Sequence, residues 1–411
     1  MAYRTTSWKN TDIGWVPSDW EVKDLRCINN VSMCKRVMKY QTKSVGVIPF
    51  YKISTFGGIP DSFIDRDLYE YLRSNFSYPN RGDILFSAAG TIGKYIVFDG
   101  NPAYFQDSNI VWIHNDERLV LNSYLYHLYH VIQWCTSEGG IVSRLYNKDI
   151  VNLKISIPSL LEQQKIAEVL TDLDDLIAEL EKVRDKKQAI KIGAMQELLT
   201  GKHRLNGFTE PWKEVKLGNV ADVLKGANLS KGKTSLNGHN SCILYGELFT
   251  TYKEKILNVV SRTDYDEGVL SKKGDVLLPG STTTTGIDLA KASALMLDNI
   301  LLGGDINILR VDFALIDSVF LAYLITHTQR NAIDKIAKGT TVYHLHGTDL
   351  KDLAICIPTD KSEQTAIANV LSDMDNEISA INDKINKYKQ IKAGVADELL
   401  SGRIRLIKPQ E

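Results

Sequence analysis

Residues 157–205 read IPSLLEQQKIAEVLTDLDDLIAELEKVRDKKQAIKIGAMQELLTGKHRL, and residues 357–406 read IPTDKSEQTAIANVLSDMDNEISAINDKINKYKQIKAGVADELLSGRIRL. Allowing one inserted residue after the proline, the two share E-Q, I-A-x-V-L, D-x-D and a closing E-L-L-[TS]-G-x-x-R-L. A segment repeated after about 200 residues marks a duplicated unit. Each copy opens with helix-start spelling just after a proline: Ser159 with Glu162, and Asp360 with Glu363, have capping-box spacing. Each ends at Gly201 or Gly402, where a helix C-terminus favours a residue at positive φ. Only Gly193 and Gly394 interrupt the run, each a modest penalty. The spacing predicts two helices of roughly 40 residues, or about 60 Å each.

The apolar stripe on these helices is long. Ile367, Leu371, Met374, Ile378, Ile381 and Ile385 alternate steps of four and three. Ile166, Leu170, Leu173, Ile177 and Leu180 do the same in the first copy, which then weakens at Arg184 and Lys187. A repeat near 3.5 residues asks for a helical partner along its length. The two helices are therefore expected to pair with each other. A local dyad across the pair would place the tandem copies at opposite ends, which makes the pairing antiparallel.

Working outward, the helices leave two mixed segments, 1–157 and 206–357, with helical regions at 158–205 and 358–411. Both mixed segments enter alike, Trp20-Glu-Val-Lys-Asp-Leu25 matching Trp212-Lys-Glu-Val-Lys-Leu217. Both contain a turn-then-strand signal, Gly82-Asp-Ile-Leu-Phe86 and Gly274-Asp-Val-Leu-Leu278. Both finish with a helical stretch (near 123–134 and 318–336), a loop, and a strand ending at Pro158 or Pro358. The loops differ: 90–94 (GTIGK) stands against 282–286, and 143–146 (SRLY) against 341–346 (TVYHLH). A shared frame with different loops points to two sites of one kind with different targets.

Composition bounds the function. A hydrophobic content of 44% with 24% charged residues is that of a soluble globular protein. No apolar run reaches the ~18 residues of a membrane span, and residues 1–10 lack a signal peptide's apolar core. The five cysteines (27, 34, 135, 242 and 356) are scattered without a C-x-x-C pair, which fits reduced cytoplasmic thiols. The net charge is −1, so any nucleic-acid role must rest on local patches.

Three patterns hint at chemistry and fall short. Asn101-Pro-Ala-Tyr104 resembles an adenine-gripping N-P-P-[YF] loop but lacks the second proline, and no F-x-G-x-G cofactor loop accompanies it; it reads as a turn. Residues 227–234 fit a relaxed P-loop, yet breaker-rich 235–240 follow where a helix is required. His344 and His346 bracket a leucine in a loop, without metal-ligand spacing. No cofactor and no metal are expected.

The basic and polar loop residues are the candidate site. Lys35, Arg36 and Lys39 form one cluster; Lys225, Lys231, Lys233 and Thr234 a second; Lys338, Thr341, Tyr343, His344 and His346 a third. The divergent loops add Thr91, Lys94, Arg144 and Tyr146 in the first segment, and Thr283 and Thr284 in the second. Such donors contact phosphates, and Arg, Lys, Asn and Gln read base edges.

The order and duplication of these motifs resemble the specificity (S) subunit of type I restriction–modification systems over nearly the whole chain. Ile13-Gly-Trp-Val-Pro17 with Trp20, the G-D-[IV]-L turns, the E-Q helix starts and the E-L-L-[TS]-G ends carry the resemblance. It implies an α+β protein with two target-recognition domains, 1–157 and 206–357, separated by a coiled-coil pair of long antiparallel helices. It further implies a non-catalytic subunit that reads a bipartite, asymmetric double-stranded DNA target. Two methyltransferase (M) subunits would dock on it, with restriction (R) subunits joining through the complex and no membrane involved. The competing reading is a non-enzymatic helical scaffold with two protein- or peptide-binding domains.

Overall fold

A computed structural model describes residues 3–90, 92–132, 134, 144–227 and 229–408. Thr91, Cys135 and Ser143 lie outside the described residues. In chain order the helices are α1 (Arg66–Asn75), α2 (Asn122–Val131), α3 (Asn147–Val151), α4 (Leu160–Leu198), α5 (Glu247–Thr250), α6 (Ser318–Thr328), α7 (Arg330–Ile336), α8 (Gly347–Lys351) and α9 (Lys361–Leu400). Among the described residues no helix is long and apolar enough to cross a membrane. The chain divides into two compact units: residues 1–180 with 384–411, and residues 181–383. Both are mixed α/β, and each contains part of both long helices.

The first unit is built on an antiparallel sheet ordered Val31–Met33, Ile110–Ile113, Ile84–Ser87, Tyr95–Val97. Gly82, at φ +94°, makes the turn into the third of these strands, a conformation that glycine adopts without steric cost. Val111 lies opposite Phe86 and Trp112 opposite Leu85. Ile84, Phe86, Val111 and Ile113 pack on α2 through Tyr124, Leu125 and Leu128. Leu85, Ile110 and Trp112 pack on the other side against Phe50, Tyr104 and Phe105 and against Tyr69 and Leu72 of α1. Because both faces are covered, ILF and IVWI read as unbroken apolar runs instead of alternating ones.

The second unit repeats this layering. Its five-stranded sheet runs Ala221–Lys225, Ile306–Val311, Asp275–Pro279, Ser293–Leu295, Lys255–Ile256. Val276, Leu278 and Leu309 face Phe320 and Leu324 of α6, while Leu277, Ile306 and Ile308 face a second sheet at Ile243 and Leu302. Asp317 caps α6 by accepting from Val319 N and Phe320 N, both at 2.9 Å. The matching W-x-x-x-x-L entries have one cause. Glu21–Asp24 pairs antiparallel with Lys154–Ile157, and Trp212–Lys216 with Ala354–Pro358. The strand that enters each globular segment is thus bonded to the strand that leaves it.

Within each unit, stretches of the two long helices run antiparallel. In the first, Ile166 and Leu170 share a core with Ala396, Leu399 and Leu400, and Lys392 bonds Asp174. In the second, Met195, Leu198 and Leu199 share a core with Ile367, Ala368 and Leu371. Ile166, Leu170, Ile177, Ile367, Leu371, Ile378 and Ile385 are buried, and Leu173, Leu180, Met374 and Ile381 are half-buried. Where the first stripe weakens, charge replaces grease. Lys187 meets Glu377 at 2.5 Å, and buried Lys191 meets Asp375 at 2.6 Å with the Tyr323 ring 5.3 Å away.

The repeated motifs have a structural reason that local spelling hid. Glu162, fully buried, bonds Arg405 and accepts Trp20 Nε1 at 3.1 Å. Glu363, also fully buried, takes Arg204 Nε and Nη2 at 2.8 and 2.6 Å. The glutamate of each E-Q therefore pairs with the arginine of the other copy's G-x-x-R-L. The capping-box expectation is corrected accordingly. Ser159 Oγ does accept Glu162 N, at 3.3 Å, and Asp360 accepts Ser362 N, but neither glutamate side chain turns back to its cap. The glutamines do equivalent work as well. Gln163 accepts Leu121 N and donates to Leu119 O and Pro158 O, while Gln364 accepts Asp317 N and donates to Leu315 O and Pro358 O.

Candidate nucleic-acid interface

In the first unit, Arg36, Lys39 and Arg144 line one depression of about 640 Å³, together with Lys52, Gln106 and Asn109. Arg36 Nε donates to Asp107 Oδ2 at 2.9 Å, and Arg144 Nη2 to the Ser108 carbonyl at 3.0 Å. Lys35 shares the loop but stands over the Phe76 ring at 5.1 Å. Lys94 is exposed, with its side chain beside Gly57, and does not line the depression. Thr91 lies outside the described residues.

Arg144 sits in a stretch that recurs in the second unit. Its backbone bridges Ala89, and the next residue, buried Leu145, donates its N–H to Ala88 O at 2.8 Å. In the second unit His344 pairs with Ser281, and buried Leu345 donates to Gly280 O at 2.9 Å. Extended chain puts alternate residues on one side, so Arg144 with Tyr146, and His344 with His346, stand opposite the anchoring leucine. Tyr146 is exposed, and the two histidine rings stack with centroids 6.2 Å apart.

Around the histidine pair the second unit gathers several of the expected residues. Tyr343 pairs with Thr282, Lys338 bridges His344 through the backbone and bonds Asp349 at 2.8 Å, and Thr341 is exposed. Thr283 is exposed on the adjoining loop, where Thr284 donates to Asp288 at 2.6 Å. Asp305 accepts Ser281 Oγ at 2.8 Å and lies 3.9 Å from Lys225 Nζ, tying that lysine to the same corner. Lys231, Lys233 and Thr234 lie beside the second sheet of that unit. Thr234 bridges Thr263, and Lys233 Nζ sits 3.8 Å over the Tyr265 ring. His239 fixes this loop by bonding Asp264 and Asp266; those hydrogen bonds, Asp266's first, raise its pKa.

The enzyme-like patterns take ordinary places. Asn101 closes a turn on Asp99 (N–H to Oδ1, 2.9 Å) and Tyr104 is buried in a strand. Residues 231–233 form a single 3-10 turn, followed by the strand Asn240–Ile243. Among the described residues no group of three or more His, Cys, Asp or Glu could hold a metal. Lys52, Gln106, Asp107, Ser108, Asn109 and Asp305 were not singled out in the sequence. The stretch 106–109 (QDSN) reads as a plain polar turn, and nothing in it announces the lysine and arginines it lies beside.

Comparison with known proteins shows the family to which the chain belongs. The type I restriction modification DNA specificity domain matches twice, over residues 17–191 and 209–391. A Haemophilus influenzae protein named as a type I restriction enzyme specificity subunit is 53% identical over 156 residues, 38% of this chain and 40% of that one. The type I restriction enzyme MjaVIII specificity subunit of Methanocaldococcus jannaschii is 24% identical over 95% of this chain and 94% of its own. The crystal structure of a type I restriction–modification S subunit from M. genitalium shares the fold, with a TM-score of 0.61 at 12% identity over 98% of this chain and all of that one. Matched in both of its halves, the chain belongs to the family of type I restriction–modification DNA specificity subunits.

Proposed function

We propose that the chain is the DNA-reading subunit of a type I complex and performs no chemistry itself. Each unit reads one half of a bipartite, asymmetric double-stranded target. The long helices, as an antiparallel coiled-coil pair, set the gap between the halves and dock two methyltransferase (M) subunits. Restriction (R) subunits join through that complex, in the cytoplasm and without a cofactor held by this chain. The observation that carries the reading is the equivalent station in the two units, held by buried Leu145 in one and buried Leu345 in the other but presenting Arg144 and Tyr146 in the first and His344 and His346 in the second. One frame with two chemistries is what two different half-sites require.

The test is to exchange residues 26–150 for the equivalent segment of another family member, assemble the complex and map methylated sites. One half-site should change and the other persist; joint change of both halves refutes independent reading. Salt titration of duplex binding separates this function from a protein-binding scaffold. Log affinity should fall against log salt with a slope of about −0.9 per neutralised phosphate.

A further inference from the structure

Arg36 and Arg144 are held by consecutive residues, but differently. Arg36 leaves two-thirds of its side chain exposed (67%) and is tied by Nε to Asp107. Arg144 is half-buried, anchored through its own backbone bridge and by Nη2 to the Ser108 carbonyl. Ser108 has φ +60°, a left-handed backbone that an L-residue other than glycine seldom adopts. Such a residue persists only where its surroundings enforce it, and functional sites are where such positions gather. Here the carbonyl it presents fixes one nitrogen of the guanidinium, and among the described residues no hydrogen bond takes the other N–H groups of the fork. Gln106 Oε1 is occupied by Ile53 N at 2.9 Å.

We infer that Arg144 reads a guanine through its N7 and O6 edge, that Ser108 is its positioning residue, and that Arg36 and Lys39 hold neighbouring phosphates. This rests on the DNA-reading function proposed above. Bidentate reading of guanine needs the guanidinium plane fixed, whereas a phosphate tolerates a mobile charge. The constrained arginine fits the first task and the exposed one the second. In the second unit the same station carries His344, so this arginine-read guanine belongs only to the half-site read by the first unit.

The experiment incubates the assembled complex with a pool of randomised duplexes and sequences the bound fraction, for the parent and for single variants. Arg144→Gln should replace or relax one guanine in one half-site, lowering affinity for the parent's preferred duplex about 5- to 150-fold. Ser108→Val, disfavoured in a left-handed backbone, should relax the same position, while Ser108→Gly should preserve it. Arg36→Gln should weaken all sequences alike. Thermal melts identify variants that stay folded. Uniform weakening by Arg144→Gln with the parent's motif intact would assign Arg144 to a phosphate and overturn the inference. An unchanged motif and affinity also overturns it, as does Ser108→Gly behaving like Ser108→Val. A parent complex that selects no sequence overturns the DNA-reading function and this assignment with it.

Discussion

Replacing Arg405 by alanine should destabilise the first unit more than any single surface change. Its side chain is 2% exposed; Nη2 bonds Glu162 at 2.6 Å, and Nη1 and Nη2 bond Asp19 at 3.0 and 2.8 Å. Without it, fully buried Glu162 keeps only the Trp20 indole among its present side-chain donors. Breaking a buried ion pair from one side costs about 3–5 kcal/mol. In a unit of roughly 200 residues that lowers Tm by about 6–20 °C. Arg204→Ala should cost less, because Arg204 is 24% exposed and water can follow it to Glu363. Tryptophan fluorescence distinguishes the two units, since Trp8, Trp15, Trp20, Trp112 and Trp134 lie in the first and Trp212 alone in the second. Urea titration should show a large midpoint shift for Arg405→Ala and a small one for Arg204→Ala. The double variant Arg405→Met with Glu162→Gln should recover part of the loss, since removing both charges leaves neither stranded and the amide oxygen can still accept from Trp20 Nε1. A cost below about 1 kcal/mol for Arg405→Ala, or no recovery in the double variant, would refute the lock.

Three further outcomes are expected. Burial outweighs the opposing pull of Asp174 and lowers the His127 pKa to about 4. Because the folded value is depressed, its contribution is whole above pH ~6.5 and lost as pH falls toward 4, up to about 3 kcal/mol; urea midpoints at pH 7.5 and 5 should differ less in His127→Gln. The same substitution should have opposite signs at two glycines. Gly402→Ala, at φ +71° against the Pro17 ring, should cost about 1–3 kcal/mol, whereas Gly193→Ala, with nothing within 4 Å of its Cβ, should gain about 0.5–1 kcal/mol, both read by thermal melts. Adding four helix-forming residues between Leu180 and Glu181 and between Asp383 and Lys384 lengthens each helix by about 6 Å. The gap between methylated half-sites should then grow by about one base pair, whose rotation best matches the extra turn; unchanged spacing with activity retained would show that the helices do not measure DNA.

The repeat made the long helices, the paired frames and the turns at Gly82 and Gly274 legible, since each depends on neighbours in sequence. What stayed hidden depends on residues far apart. Glu162 spells a capping box with Ser159, and only the fold brings Arg405, 243 positions on, to claim its carboxylate. Lys191 looks like a break in an apolar stripe until Asp375 stands opposite. At the candidate interface Arg36, Lys39 and Arg144 were visible as basic loop residues. Their convergence was not, because it is made by Asp107 and by the left-handed Ser108, whose backbone leaves no mark in composition.

The discontinuity of the first unit bears on how the chain is born. Residues 181–383 form the second unit without interruption, whereas the first needs Ala396, Leu399 and Leu400 to complete a core begun before residue 180. During synthesis at about 5–20 residues per second, the earlier half must wait some ten to forty seconds for Ala396, Leu399, Leu400 and Arg405. The later half can close first. A chain cut short and released at residue 390 would thus carry a complete second unit and an unfinished first one, with Glu162 uncompensated and the apolar side of α4 open to chaperones.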